Sequence, residues 1–209
     1  MKERPILFSA PMVSALLDGR KTMTRRIMKP QMSYEDVCGM FAAWSYPITA
    51  TKFLIWPNAK DKIIELCPYG RPGDRLWVRE TWRGLVTINS PHEPRQLGVA
   101  RYVPDQKHCV RVEYLATRDR DNDLWRPSIH MPRWASRILL EITDVRVELL
   151  QSMDPSDVER EGVTHPDERM TCREAIERFT AAWDGIHGPG SWDENPWVWV
   201  IEFVRVEAE

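Results

Sequence analysis

Apolar positions along this chain follow two rhythms, a period of two through its middle and end and a period near 3.6 in a few short stretches. Pro5 to Ser9 is a short apolar run that ends at a turn signal, and Pro11 stands at the first position of a helix in which Met12, Ala15 and Leu16 recur. Gly19 supplies the stop. A strand feeding a short helix is the expectation, followed by a basic turn, Arg20 to Arg26, whose threonines and Ile27 suit an extended segment before Pro30. Arg75 to Trp82 alternates, with Leu76, Val78 and Glu80 on one side and Trp77, Arg79 and Thr81 on the other. Val110 to Ala116 and Ser136 to Leu149 read as further strands, the latter with Ile138, Leu140 and Ile142 alternating before Val145 and Val147 resume the pattern. Pro196 to Val206 is an almost unbroken run of β-formers, expected to be a strand buried on both sides.

Two helices are expected late in the chain. Asp154 and Pro155 are a cap and an N1 proline, with Gly162 just past the end, and Thr171 to Glu174 is a capping box opening a helix whose Ile176, Phe179 and Trp183 share a face. Residues 31–69 carry Pro47, Pro57 and Pro68 without sustained periodicity, so they read as an irregular insertion with one short element near Lys62 to Leu66. A second loop-rich insertion covers about 83–108. The pattern as a whole predicts a single α+β domain over 1–209, a small mixed β-barrel of five or six strands with peripheral helices.

Composition narrows the function. The 209 residues are 43% apolar and 29% charged, an ordinary globular balance, and the net charge of -2 argues against coating long duplexes by bulk phosphate neutralisation. No run approaches a membrane span, and the first dozen residues hold no stretch long enough for a signal peptide, so a cytoplasmic protein is expected. Cys38, Cys67, Cys109 and Cys172 lack C-x-x-C spacing, which predicts free thiols and no zinc site, and no metal or organic cofactor is expected. His108 and Cys109, adjacent on a strand, would point to opposite faces and so do not form a nucleophile–base pair. Most of the ten tryptophans are expected in the core.

Three ordered pieces resemble the ASCH domains, members of the PUA-like superfamily, and the flanking text is similar to its phage and prophage-encoded branch. They are Gly19 to Arg26 (GRKTMTRR), the turn Arg71-Pro72-Gly73-Asp74 before Leu76 to Glu80, and the Asp157 to Gly162 helix. The terminal strand, Pro5 to Met12, Ser128 to Trp134 and Ser191 to Trp199 also fit. The resemblance implies a PUA-like barrel. It also implies, by analogy with the family's small amidohydrolases of N4-acetylcytidine, a catalytic set of Lys21, Thr24 and Glu161, Gly162 being a departure from the shorter enzymes.

Chemistry agrees that a threonine hydroxyl needs a neighbouring base, and a lysine crowded by Arg25 and Arg26 can supply one. Residues three apart on a strand face opposite ways, so Lys21 must lie in the turn after Gly19, or be offset by a bulge, for it to meet Thr24. Around them, Thr22, Arg25, Arg26, Arg79, Glu80, Trp82, Ser128, His130 and Trp134 are candidate substrate-binding residues: cations for charge, Trp82 and Trp134 for stacking, His130 as a donor. Arg126, Arg133 and Arg137 suit phosphate contacts. The expected ligand is a nucleoside, a modified base or single-stranded RNA, either bound or hydrolysed at an N4-acyl amide. RNA cleavage is a weaker alternative for which the chain shows no clear histidine pair.

Overall fold

A computed structural model describes residues 1–37, 41–49, 52–57, 60–165 and 167–207. In chain order the elements begin β1 (Glu3–Leu7), α1 (Ala10–Leu17), β2 (Met23–Ile27), β3 (Ser33–Val37), β4 (Phe41–Thr49), β5 (Lys52–Pro57) and α2 (Lys60–Ile64). They continue through β6 (Arg75–Arg79), β7 (Trp82–Thr87), β8 (Leu97–Val99), β9 (Arg111–Tyr114), β10 (Leu139–Leu149), α3 (Pro155–Arg160), α4 (Cys172–His187) and β11 (Trp197–Val206). The fold is mixed α+β. Its principal sheet has the order β1-β6-β10-β11-β2, with β1 and β6 parallel and the other pairs antiparallel. No helix among the described residues is long and apolar enough to cross a membrane.

The double burial expected of the last strand follows from two layers on its two faces. Trp199, Ile201 and Phe203 enter a core built with α1, β1, β6 and β10, while Val198 and Val200 meet Phe179 and Trp183 of α4 and Val158 of α3. β10 solves a parity problem. Leu140 and Ile142 lie on even positions and Val145 and Val147 on odd ones, yet all four belong to the same core. A register shift between Ile142 and Asp144 makes this possible, because one extra residue returns the later side chains to the apolar face. The late helices start where their caps predict: Asp154 and Asp157 form a reciprocal box, and so do Thr171 and Glu174.

Several expectations fail on strand count. Among the described residues there are eleven strands in three sheets, not five or six in one. Residues 31–69 are not irregular: β3, β4 and β5 form an antiparallel sheet and α2 follows. The prolines that argued against strands sit where a ladder tolerates them, Pro47 at a register shift and Pro57 at the end of β5. Residues 83–108 likewise begin inside β7, which pairs with β8 and β9. The stretch Arg75 to Trp82 is divided between two sheets, with Glu80 and Thr81 as the break. No ladder joins β1 to β2 among the described residues, so the principal sheet has two edges.

The Arg71 to Asp74 turn locks the start of that sheet. Gly73, at φ 86, donates its N–H to Ile142 O, and Asp74 accepts from Lys2 N at 2.8 Å, Arg4 Nη1 at 2.9 Å and Arg71 N at 3.4 Å. Those donors favour the ionised form, led by the Lys2 N–H and then Arg4, and hold the carboxyl at about 2. A depressed folded-state value adds stability that is present above the unfolded pKa, near 4, and lost as pH falls towards 2. Asp74→Asn should therefore cost about 1–2 kcal/mol at pH 7. In denaturant titrations the gap to wild type should close between about pH 5 and pH 2; a gap that does not change with pH would show that the carboxylate charge is not what matters.

Candidate functional site

The turn after α1 is held from three sides. Gly19 adopts φ 75, the N–H groups of Arg20 and Lys21 both donate to Ala15 O at 2.9 and 3.0 Å, Thr22 N donates to Arg160 O, and Thr22 O accepts from Phe203 N. Lys21 is thus clamped between the end of α1, the end of α3 and β11, before β2 begins. This placement removes the spacing objection: Lys21 is not on the strand, and it lines the same cavity as Thr24.

The cavity measures about 390 Å³, within the range of small-ligand sites. One wall comes from Leu7, Phe8, Ser9 and Met12 at the junction of β1 and α1, and the opposite wall from Phe179, Trp183, Ile186 and His187 of α4. β2, the edge strand, runs between them. The two edges of the sheet approach here, and a side chain spans them: Arg26 Nη2 donates to Leu7 O at 2.6 Å, with the guanidinium 5.0 Å from the Phe8 ring centre. Lys21 Nζ lies 5.4 Å from the same ring.

Lys21 and Glu161 are 3% and 4% exposed, and they form the site's chemical centre. The Lys21 ammonium donates to Glu161 Oε2 at 2.8 Å, Glu161 O at 2.7 Å and Met23 O at 2.7 Å, which uses all three of its donors. Burial pushes the lysine below its ordinary pKa; Glu161 opposes that, and Arg26 and Arg25 add to it. Arg25 is fully buried, donating to Asp157 Oδ2 at 2.6 Å with Glu161 and Glu148 each 3.5 Å away. It is a strut that holds α3 against β2. From there a ring of alternating charge closes through Asp157, Arg160, Glu202, Arg146 and Glu148 back to Arg25.

Gly162 explains why the helix ends as it does. It adopts φ 76, and a β-carbon there would lie 2.7 Å from Ala15 Cβ and 2.9 Å from Lys21 Cβ. The absence of a β-carbon at this position therefore lets the end of α3 come close enough for Glu161 to reach Lys21.

The predicted site residues divide. Lys21, Thr24, Arg25, Arg26, Ser128 and Glu161 all border the cavity. The others lie elsewhere. Thr22 contributes its main chain to the clamp, Arg79 lies over Trp77 at 4.6 Å, and Glu80 is buried in a two-pronged pair with Arg137 at 2.8 and 3.0 Å. Trp82 is fully buried and packs edge-on to the half-buried Trp134, neither bordering the cavity, and His130 is exposed outside it. The arginines expected on phosphate are also engaged: Arg126 donates to Ala100 O and Tyr102 O, Arg133 pairs with Glu3, and Arg137 with Glu80. His108 turns to Asp105 while Cys109 donates to Arg111 O. Phe8, Ser9, Trp183 and His187 were missed, because only tertiary packing brings α4 and the β1–α1 junction together. Helical spacing puts Trp183 on the buried face of α4, and it stands where that core meets the cavity.

Among the described residues no group of three His, Cys, Asp or Glu is placed to hold a metal, and the cavity's one bordering carboxylate, Glu161, is already paired. Comparison of the chain with protein-family models, with curated proteins and with solved structures found no match.

Gly162→Ala should cost about 1–3 kcal/mol, since it adds a left-handed strain to the two close contacts. The melting temperature should fall, and any ligand response of the cavity should weaken with it, because the new methyl presses on Lys21. An alanine variant with wild-type stability would show that the turn relaxes without the glycine.

Proposed function

We propose that this chain is an ASCH-like protein of the PUA-like superfamily, related to the phage-encoded branch and acting in the cytoplasm. Its cavity takes a single modified nucleobase on its sugar, and Lys21, Thr24 and Glu161 hydrolyse an N4-acyl amide of cytosine. The observation that carries the reading is the buried Lys21–Glu161 pair opening onto the same aromatic-walled cavity as the Thr24 hydroxyl. A five-stranded sheet whose edges are bridged by Arg26 supports the barrel part of the reading.

The chemistry follows from the pair. A ligand that expels water from the cavity further disfavours the separated charges, so the shared proton moves from Lys21 to Glu161 across 2.8 Å. The neutral amine then takes the proton of Thr24 as its oxygen attacks the acyl carbon. Glu161 protonates the departing exocyclic nitrogen, and cytosine leaves with its amine restored. Water, deprotonated by the returned carboxylate, cleaves the acyl-threonine; Lys21 returns a proton to the threonine oxygen, and the acid is released. One amide and one water become one acid and one amine.

A second reading is favoured by one observation: all three Lys21 donors are committed in the unliganded chain, as in a fixed positive anchor. On that reading the chain is a non-catalytic module for a modified base or single-stranded RNA.

Acetate release from N4-acetylcytidine separates the two. The enzyme reading expects turnover that falls by about 10²–10⁴-fold in Lys21→Ala and Glu161→Gln. Thr24→Val should abolish turnover while leaving binding and melting temperature near wild type. Binding without turnover in the wild-type chain would establish the module; turnover that survives Thr24→Val would remove the threonine from the mechanism.

A further inference from the structure

Formal charges bordering the cavity do not cancel. Lys21 is answered by Glu161 at 2.8 Å and Arg25 by Asp157 at 2.6 Å, whereas Arg26 has no carboxylate partner among the described residues. Its recorded acceptor is Leu7 O, and its Nε is buried without any. The cavity's border is thus net positive, with Lys21, Arg25 and Arg26 against the single carboxylate Glu161, and it is complementary to a ligand that brings negative charge.

Another side of the same space is the start of α1. Phe8 lies beneath the Arg26 guanidinium, and the next residue, Ser9, is the N-cap of α1 and makes no side-chain capping bond. Ser9 and Met12 both border the cavity, which puts the N-terminal end of α1, positive by its dipole, at that border, although Pro11 has no N–H and Val13 N is bonded to Ser9 O. Arg26 from β2 and the Ser9 end of α1 approach from two sides. A tetrahedral anion with three or more oxygens suits that arrangement better than a planar carboxylate does.

The geometry points to a phosphate ester as part of the ligand, held between the Arg26 guanidinium and the N-terminus of α1, so that the cavity takes a nucleotide unit and not a free nucleoside. This rests on the nucleoside reading above and adds the charged group to it. Arg26 then serves to bind a standing charge, not one that develops during the reaction.

Calorimetric titration of the purified chain with cytidine, cytidine 5′-monophosphate, inorganic phosphate and a tricytidylate lacking terminal phosphates tests the assignment. Cytidine 5′-monophosphate should bind at least about tenfold more tightly than cytidine. Arg26→Gln should erase most of that difference by weakening the monophosphate about tenfold more than it weakens cytidine, and Arg26→Lys should restore part of it. Tighter binding of the monophosphate or of the trinucleotide identifies the phosphate as a monoester or a diester, and either supports the site. Equal affinities for cytidine and its monophosphate, or equal weakening of both by Arg26→Gln, would overturn the anion site and leave the nucleoside reading standing. Binding of phosphate alone, dependent on Arg26, with neither cytidine nor its monophosphate bound, would keep the anion site and sink the nucleoside reading. No binding of any of the four overturns both.

Discussion

A buried lysine facing a buried glutamate is the constraint around which the rest of this structure is arranged. Removing two charges from water costs several kcal/mol per ion, and their mutual attraction offsets that only when the remaining donors and acceptors are also met. Lys21 meets the condition through two main-chain carbonyls besides the carboxylate, and Glu161 through Arg25 on its far oxygen. Those partners tie separate elements together. Met23 and Arg25 belong to β2, Glu161 caps α3, and Arg25 leads on to β10 through Glu148 and back to α3 through Asp157. The pair cannot form unless α1, α3 and the edge of the sheet have all docked. An apolar pair of the same volume would be easier to bury, so this pair is weak evidence for stability in itself.

Local signals carried much of this fold. The proline and glycine that bracket α1, the two capping boxes and the β-former run of β11 are short-range features, and each acts over a few residues of chain. What escaped them is non-local. Parallel pairing of β1 with β6 depends on a crossover, and the sheet of β3 to β5 was hidden by prolines whose harmlessness depends on their position in a ladder. The site divides along the same line. Lys21, Thr24 and Arg26 could be read from one contiguous string, whereas Asp157, which fixes Arg25, looks from sequence like nothing more than the N3 residue of a cap. Glu80, Arg137, Trp82 and Trp134 show the converse. Their types suggested recognition, yet the charges are satisfied by each other and the indoles pack edge to edge.

The cavity itself arises from an unclosed seam in the sheet. Phe203 N donates to Thr22 O and Met28 N to Trp197 O, so the even-numbered positions from 22 to 28 turn their main chain towards β11. Alternation then turns the N–H and C=O groups of Met23, Arg25 and Ile27 the other way, to the open edge. An open edge is ordinarily a liability, blunted by a charged side chain or covered by a neighbour. Here Lys21 takes the outward carbonyl of Met23, and Arg26 reaches across to the carbonyl of Leu7 on the other side of the gap.

Arg26 therefore does by side chain what a further ladder would do by main chain, joining β2 to β1, while Lys21 ties β2 to the end of α3. A strand filling the seam would satisfy every edge group and leave no room. One long side chain leaves a space beside it, bordered by Arg25, Phe8 and residues of α4. Because the Arg25 side chain is anchored to Asp157, its main chain cannot shift to seek another partner. Lys21, Arg25 and Arg26, with Glu161 against them, thus set the polarity of the cavity's border.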